Sequence, residues 1–181
     1  LNEVFGCVRF VWNRLVANFN SWSSEGPNRP MNEKILKDTT EYVWLSDSIS
    51  YALQQKRIDF DETKKQFFNK SRKTRIGRMK FKKKGIARDS FRIPVASMGG
   101  QKSIDLDNGR IKLPKMGPMK LIVDRKFMGT AKSVTVSKNK IDQFFVSVLV
   151  EEDVKVKTGV GRSISIDLGL NHLVTLSNGV K

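Results

Sequence analysis

Cysteine and histidine are nearly missing from these 181 residues, which hold one of each, Cys7 and His172. A disulfide framework needs paired cysteines and a structural zinc site needs four ligands, so neither can be assembled from this sequence, and a reducing compartment suits it. Long apolar runs, a signal-peptide pattern and a strongly amphipathic lysine helix with an aromatic face are also missing, which speaks against any membrane association. Acid is scarce as well. The 34 Lys and Arg outnumber 18 Asp and Glu, leaving a net charge of +16 and a pI near 10.1. That balance is expected of a chain that meets polyanions, with nucleic acid as the leading partner and a cytoplasmic, nucleoid-associated location. The length is room for one ordinary domain or two small ones, and 39% hydrophobic content is enough for a core. There is no internal repeat.

What is present falls into two halves. Val4, Phe5, Val8, Val11, Trp12, Leu15, Phe19 and Trp22 recur at three- and four-residue steps, the spacing of one helix face. Turn residues and two prolines in 23–30 end that helix, and a shorter one is expected from about Asn32 to Tyr42. A third, capped by Ser46 or Ser48, carries Ile49, Leu53, Phe60 and Phe67 on a stripe interrupted by Lys56 and Thr63. Cys7 lies at an apolar helix position and reads as a buried small hydrophobe.

Beyond Lys70 the period becomes alternating. Strands are expected over 90–95, 103–106, 110–113 and 119–124, with Asp107-Asn108-Gly109 as a hairpin turn, and a second hairpin pairs 133–137 with 144–150. Several short antiparallel strands with regular turns favour a small barrel over a sandwich, because closure removes exposed edges. A new unit starts near Gly161, where strands over 163–168 and 173–176 turn back on each other. They cannot bury both faces alone, and the helical pattern is already running at Leu1, which is not a methionine; a longer protein is the expectation at both ends.

Two features carry chemistry. The run 71–84 holds Arg72, Lys73, Arg75, Arg78, Lys80, Lys82, Lys83 and Lys84 and no acid, which is half of the net charge. Cations beside a phosphate backbone release condensed counterions, so this run should give salt-dependent, largely sequence-indifferent affinity; a solvated loop is the bland alternative. Phe81 and Phe91 flank it and are expected in the barrel, with base stacking as the other reading. Gln54 and Gln55 on the third helix have side chains able to read an adenine edge, or are plain helix-compatible polar residues. The second feature is Asp167 in Ser-Ile-Ser-Ile-Asp-Leu-Gly-Leu, a carboxylate at a strand end just before Gly169. Seen alone it is an ordinary turn-entering aspartate. A rival is the phosphate loop of actin-like and sugar-kinase ATPases, but Asn171 stands where their threonine or serine would be.

Taken in order, residues 5–15 (FGCVRFVWNRL), 50–55 (SYALQQ), 65–68 (KQFF), 77–84 (GRMKFKKK), 89–94 (DSFRIP) and 166–170 (IDLGL) resemble the TnpB (OrfB) family of insertion-sequence proteins. Members are RNA-guided DNA endonucleases related to type V CRISPR effectors. The resemblance implies an α+β chain: a helical recognition domain over 1–70, a wedge barrel of oligonucleotide-binding type over 71–158 whose first strand would precede Leu1, and the first strands of a RuvC/RNase H-like nuclease over 159–181. It implies guide RNA from the transposon end and double-stranded target DNA as partners, and places Gln54 and Gln55 near the site for the short DNA motif beside the target. Asp167 would be the first catalytic acid and metal ligand of a site holding Mg2+ or Mn2+, hard ions suited to oxygen ligands. The further acids and the zinc ribbon of such proteins are not in this sequence, so the chain by itself is expected not to cleave DNA. Lys56, Arg57 and Lys64 occupy helix positions more often apolar in similar sequences.

Besides the endonuclease, two readings compete: a cleavage-inactive RNA- or DNA-binding module, and an RNA-binding component of a ribosome-like assembly, which leaves Asp167 unexplained.

Overall fold

A computed structural model describes residues 1–21, 31–71, 74, 77–86, 88–153 and 163–180. The chain is α+β, with helices in the first part and small antiparallel sheets after them. Helix α1 (Asn2–Asn20) buries Val4, Phe5, Cys7, Val8, Val11, Trp12, Leu15 and Val16 along the stripe its spacing predicts. Trp22 lies outside the described residues.

The second helix is shorter than its pattern suggests. Helix α2 (Glu33–Asp38) begins where Asn32 accepts a hydrogen bond from the Ile35 amide at 2.9 Å, and stops at Thr39, whose backbone is extended. A 3-10 segment, Thr40–Asp47, continues to helix α3 (Ser50–Phe68). Neither Ser46 nor Ser48 caps α3; Ile49 holds that position without a side-chain cap, and Ser48 is buried against Cys7. Burial raises the Cys7 thiol pKa above its ordinary value, consistent with a packing role.

Lys56, which seemed to break the apolar stripe of α3, is buried with its neighbours Ala52, Leu53 and Phe60. Its ammonium donates to Asp59 at 2.9 Å, and Asp59 also accepts from Arg92 at 2.9 Å. The interruption is therefore the point where α3 is joined to the sheet by charge. Arg57 likewise bridges Glu33 of α2 and Asp61, and the Lys64 ammonium lies 5.8 Å from the centre of the Phe19 ring.

Strand β1 (Asp89–Pro94) pairs antiparallel with β5 (Thr130–Lys138), and β5 pairs with β6 (Phe144–Glu151), in the order β1-β5-β6. The register sets Phe91 opposite Val136 and Ile93 opposite Val134. These residues are buried, and Phe5 of α1 packs on Phe91 with ring centres 5.3 Å apart. A second sheet joins β2 (Ile104–Asp105), β3 (Arg110–Lys112) and β4 (Pro118–Lys120). Its hairpin has the expected turn: Asp105 accepts from the Asn108 amide, and Gly109 sits at φ +58 where a Cβ would stand 2.7 Å from the Leu121 carbonyl oxygen.

The expected barrel does not close among the described residues. β2, β3 and β4 are two or three residues long, too short to supply a ladder for the eight residues of β6. The Gln101 carboxamide ends the ladder of β5 instead, accepting from the Ala131 amide and donating to the Gly129 carbonyl, both at 3.0 Å. Strand β6 keeps Phe145 and Leu149 exposed. Phe91 has the core place expected of it; Phe81 is 53% exposed and takes no part in a barrel interior.

Candidate nucleic-acid interface

The basic run is partly fastened to α1. Asn13 donates from Nδ2 to the Lys82 carbonyl at 3.0 Å and accepts the Lys82 amide on Oδ1 at 2.8 Å, so one carboxamide imitates a neighbouring strand. The Trp12 indole donates to the Lys80 carbonyl at 3.0 Å. Met79 is buried, and this apolar anchor with three bonds between side chains and backbone holds 79–82 against the helix. Arg78, Lys80, Lys83 and Lys84 are exposed as a result. Cations held on a fixed backbone forfeit less conformational freedom on meeting a phosphate chain than a loose loop would.

Lys82 differs from its neighbours. Its ammonium lies 4.5 Å from the centre of the Trp12 ring, and burial, then the nearby charge of Lys56, lowers its pKa from the ordinary lysine value. It belongs to the fastening rather than to the outward row. Arg72, Lys73 and Arg75 lie outside the described residues. Gln54 is exposed and Gln55 half-buried on α3, one turn beyond the exposed ring of Tyr51, which the sequence reading passed over.

The basic row leads into a groove of about 610 Å3 between residues 84–86, 88 and 89 and the β5–β6 hairpin. Arg88, Lys138, Lys140 and Phe145 line it, and none of them was singled out from sequence. A signal existed: Phe144 and Phe145 are consecutive in a strand, so their rings must leave on opposite faces.

Asp167 stands on a separate two-residue ladder, β7 (Ile166–Asp167) with β8 (Thr175–Leu176), opposite Thr175. It is exposed, as are Ile166, Leu168 and Leu170 around it. The following turn is tight, for a Cβ on Gly169 would lie 3.3 Å from the His172 carbonyl oxygen. Among the described residues no three His, Cys, Asp or Glu side chains come together as a metal site. One carboxylate does not by itself fit a two-ion centre.

The chain has named relatives. Over 96% of its length the chain is 36% identical to an Escherichia coli (strain K12) protein named "Putative RNA-guided DNA endonuclease InsQ". These relatives are consistent with the TnpB/OrfB family that the sequence resembles. A second relative, from Streptomyces pristinaespiralis and named "Putative RNA-guided DNA endonuclease", is 28% identical over the whole of the chain. The chain spans 42% and 45% of the lengths of these two relatives. No protein-family model matches it. Among the described residues no helix is long and apolar enough to cross a membrane.

Proposed function

We propose that this chain is the nucleic-acid-binding part of an RNA-guided DNA endonuclease, with guide RNA and double-stranded target DNA as its partners. The observation that carries the reading is the outward cationic row of Arg78, Lys80, Lys83 and Lys84, held on α1 by Asn13, Trp12 and buried Met79. Such a row neutralises a phosphate backbone without reading bases, which suits a protein that leaves sequence recognition to a guide. Gln54 and Gln55, with Tyr51 beside them, are the proposed contacts to the DNA motif next to the target. The helices of 1–70, the sheets of 71–158 and the hairpin of 159–181 are proposed as recognition, wedge and RuvC-like units.

In a protein of the relatives' length, Asp167 would supply one carboxylate of a Mg2+ or Mn2+ site, and cleavage would need further acids beside it. The chain alone is a binder under this reading. Its test is the affinity of the chain for transposon-end RNA against unrelated RNA of equal length, across a salt series. Preference for the transposon-end RNA with a steep salt slope is expected. Equal affinity for both would count against a guide-specific role, and ATP turnover by a protein of the relatives' length would favour a phosphate-loop role for Asp167.

A further inference from the structure

The groove at the end of the basic row has a chemistry of its own. Two carboxylates line it, and both are already neutralised: Asp89 is paired with Arg9 at 2.5 Å and Asp142 with Lys138 at 2.8 Å. Lys84 and Lys140 have no ion-pair partner among the described residues, and Arg88 only donates to the Ser137 hydroxyl at 3.4 Å. The groove thus keeps an excess of positive charge that its own acids do not cancel. Its wall is apolar and aromatic, with Phe145 half exposed and Ile86 more so. The wall is also stiff. Asn139 accepts the amides of Ile141 and Gln143 at 3.0 and 2.9 Å, closing the β5–β6 turn, and the ladder sets Phe145 opposite Ser137.

An exposed ring on a rigid strand with cations at its edge suits a flat group that carries a phosphate. Lys84 belongs to the outward row as well as to the groove, so a phosphate chain lying along Lys80 and Lys83 is led into it. We propose that the groove seats an unpaired nucleotide, with its base on Phe145 and its phosphate among Lys84, Arg88 and Lys140. The volume fits one small ligand. A paired base has its faces covered by its neighbours, so the site separates single strands from duplexes, which the cationic row alone does not. This rests on the nucleic-acid-binding reading above.

The experiment uses the full chain, a short labelled poly(U) RNA and a duplex of equal length, with Phe145→Leu, Phe145→Trp and Lys140→Gln. Stacking on one aromatic side chain is worth about fivefold to a hundredfold in affinity. Phe145→Leu is expected to weaken poly(U) binding within that range and leave duplex binding unchanged, Phe145→Trp to restore it, and Lys140→Gln to flatten the salt slope for poly(U). Cross-linking of 5-iodouridine RNA should map to the peptide containing Phe145. Unchanged poly(U) affinity in Phe145→Leu, or an equal loss on duplex, overturns the nucleotide site while the cationic row stands. A Phe145-dependent affinity for an acidic peptide equal to that for poly(U) also overturns it. No binding of either nucleic acid by the unaltered chain removes the function proposed above along with the groove.

Discussion

The stretch 79–82 and the hairpin of β7 and β8 both carry residues that the sequence marks as functional, yet the fold treats them in opposite ways. The first is tied across α1 by Asn13 and Trp12 and anchored by buried Met79. The second leaves Ile166, Asp167, Leu168 and Leu170 exposed on a two-residue ladder. A binding surface made of repeated like charges can be organised by one helix and one buried anchor. A metal centre needs several ligands converging from different strands, and a single hairpin brings only one.

The two regions should differ most in what they contribute to stability. Phe91, buried between α1 and β5, should cost about 3–5 kcal/mol when replaced by alanine. Ile166→Ala, at an exposed position, should stay within about 0.5 kcal/mol. Urea unfolding curves decide it, and comparable losses would mean that the hairpin is held by the core after all.

The fastening comes next. Asn13→Ala removes both bonds to Lys82 and should cost about 1–3 kcal/mol, while reducing RNA affinity without altering net charge. Unchanged affinity at unchanged charge would show that the outward row needs no fixed backbone. Replacing Lys80, Lys83 and Lys84 together by glutamine should lower affinity for all nucleic acids and reduce the salt slope by about 2–3. Lys82→Gln should change that slope less than Lys80→Gln, because its ammonium is already placed on Trp12.

Lys82 also predicts a pH effect. Its folded pKa is lowered, so between that value and the ordinary lysine value the unfolded chain binds more protons, and stability rises with pH through that window. Lys82→Met should remove this rise in alkaline urea titrations. The smallest effect is expected at Asp167: Asp167→Ala should leave folding and RNA affinity unaltered, and the purified chain should not cut DNA with or without it in magnesium. Robust magnesium-dependent cutting by the chain would refute the view that one carboxylate is insufficient.

Much of the helical part was legible because one face of α1 repeats at helical spacing over five turns, and Phe91 and Ile93 alternate as a half-buried strand must. Lys56 reads in sequence as an interruption of the apolar stripe of α3; its pairing with Asp59 is local, but Arg92, which meets the same carboxylate, reaches it only in the folded chain. The barrel was overestimated for a related reason. Alternation marks strands, but not whether their lengths and edges allow closure, and here Gln101 occupies the end of β5. The candidate site divides the same way: the cationic row is visible as a cluster in sequence, whereas Arg88 is distant along the chain from Lys140 and Phe145 and joins them only around the groove.

By itself the sequence determined the charge, the helix faces, the alternation of the strands and the identity of the carboxylate at 167, because each is a property of residue type and near-neighbour spacing. Long-range packing sets which cations face outward, which one lies on Trp12, and that a groove with neutralised acids lies beside an exposed ring. Those outcomes depend on contacts between residues distant in sequence, such as Asn13 with Lys82 and Arg9 with Asp89, and local spacing does not encode them.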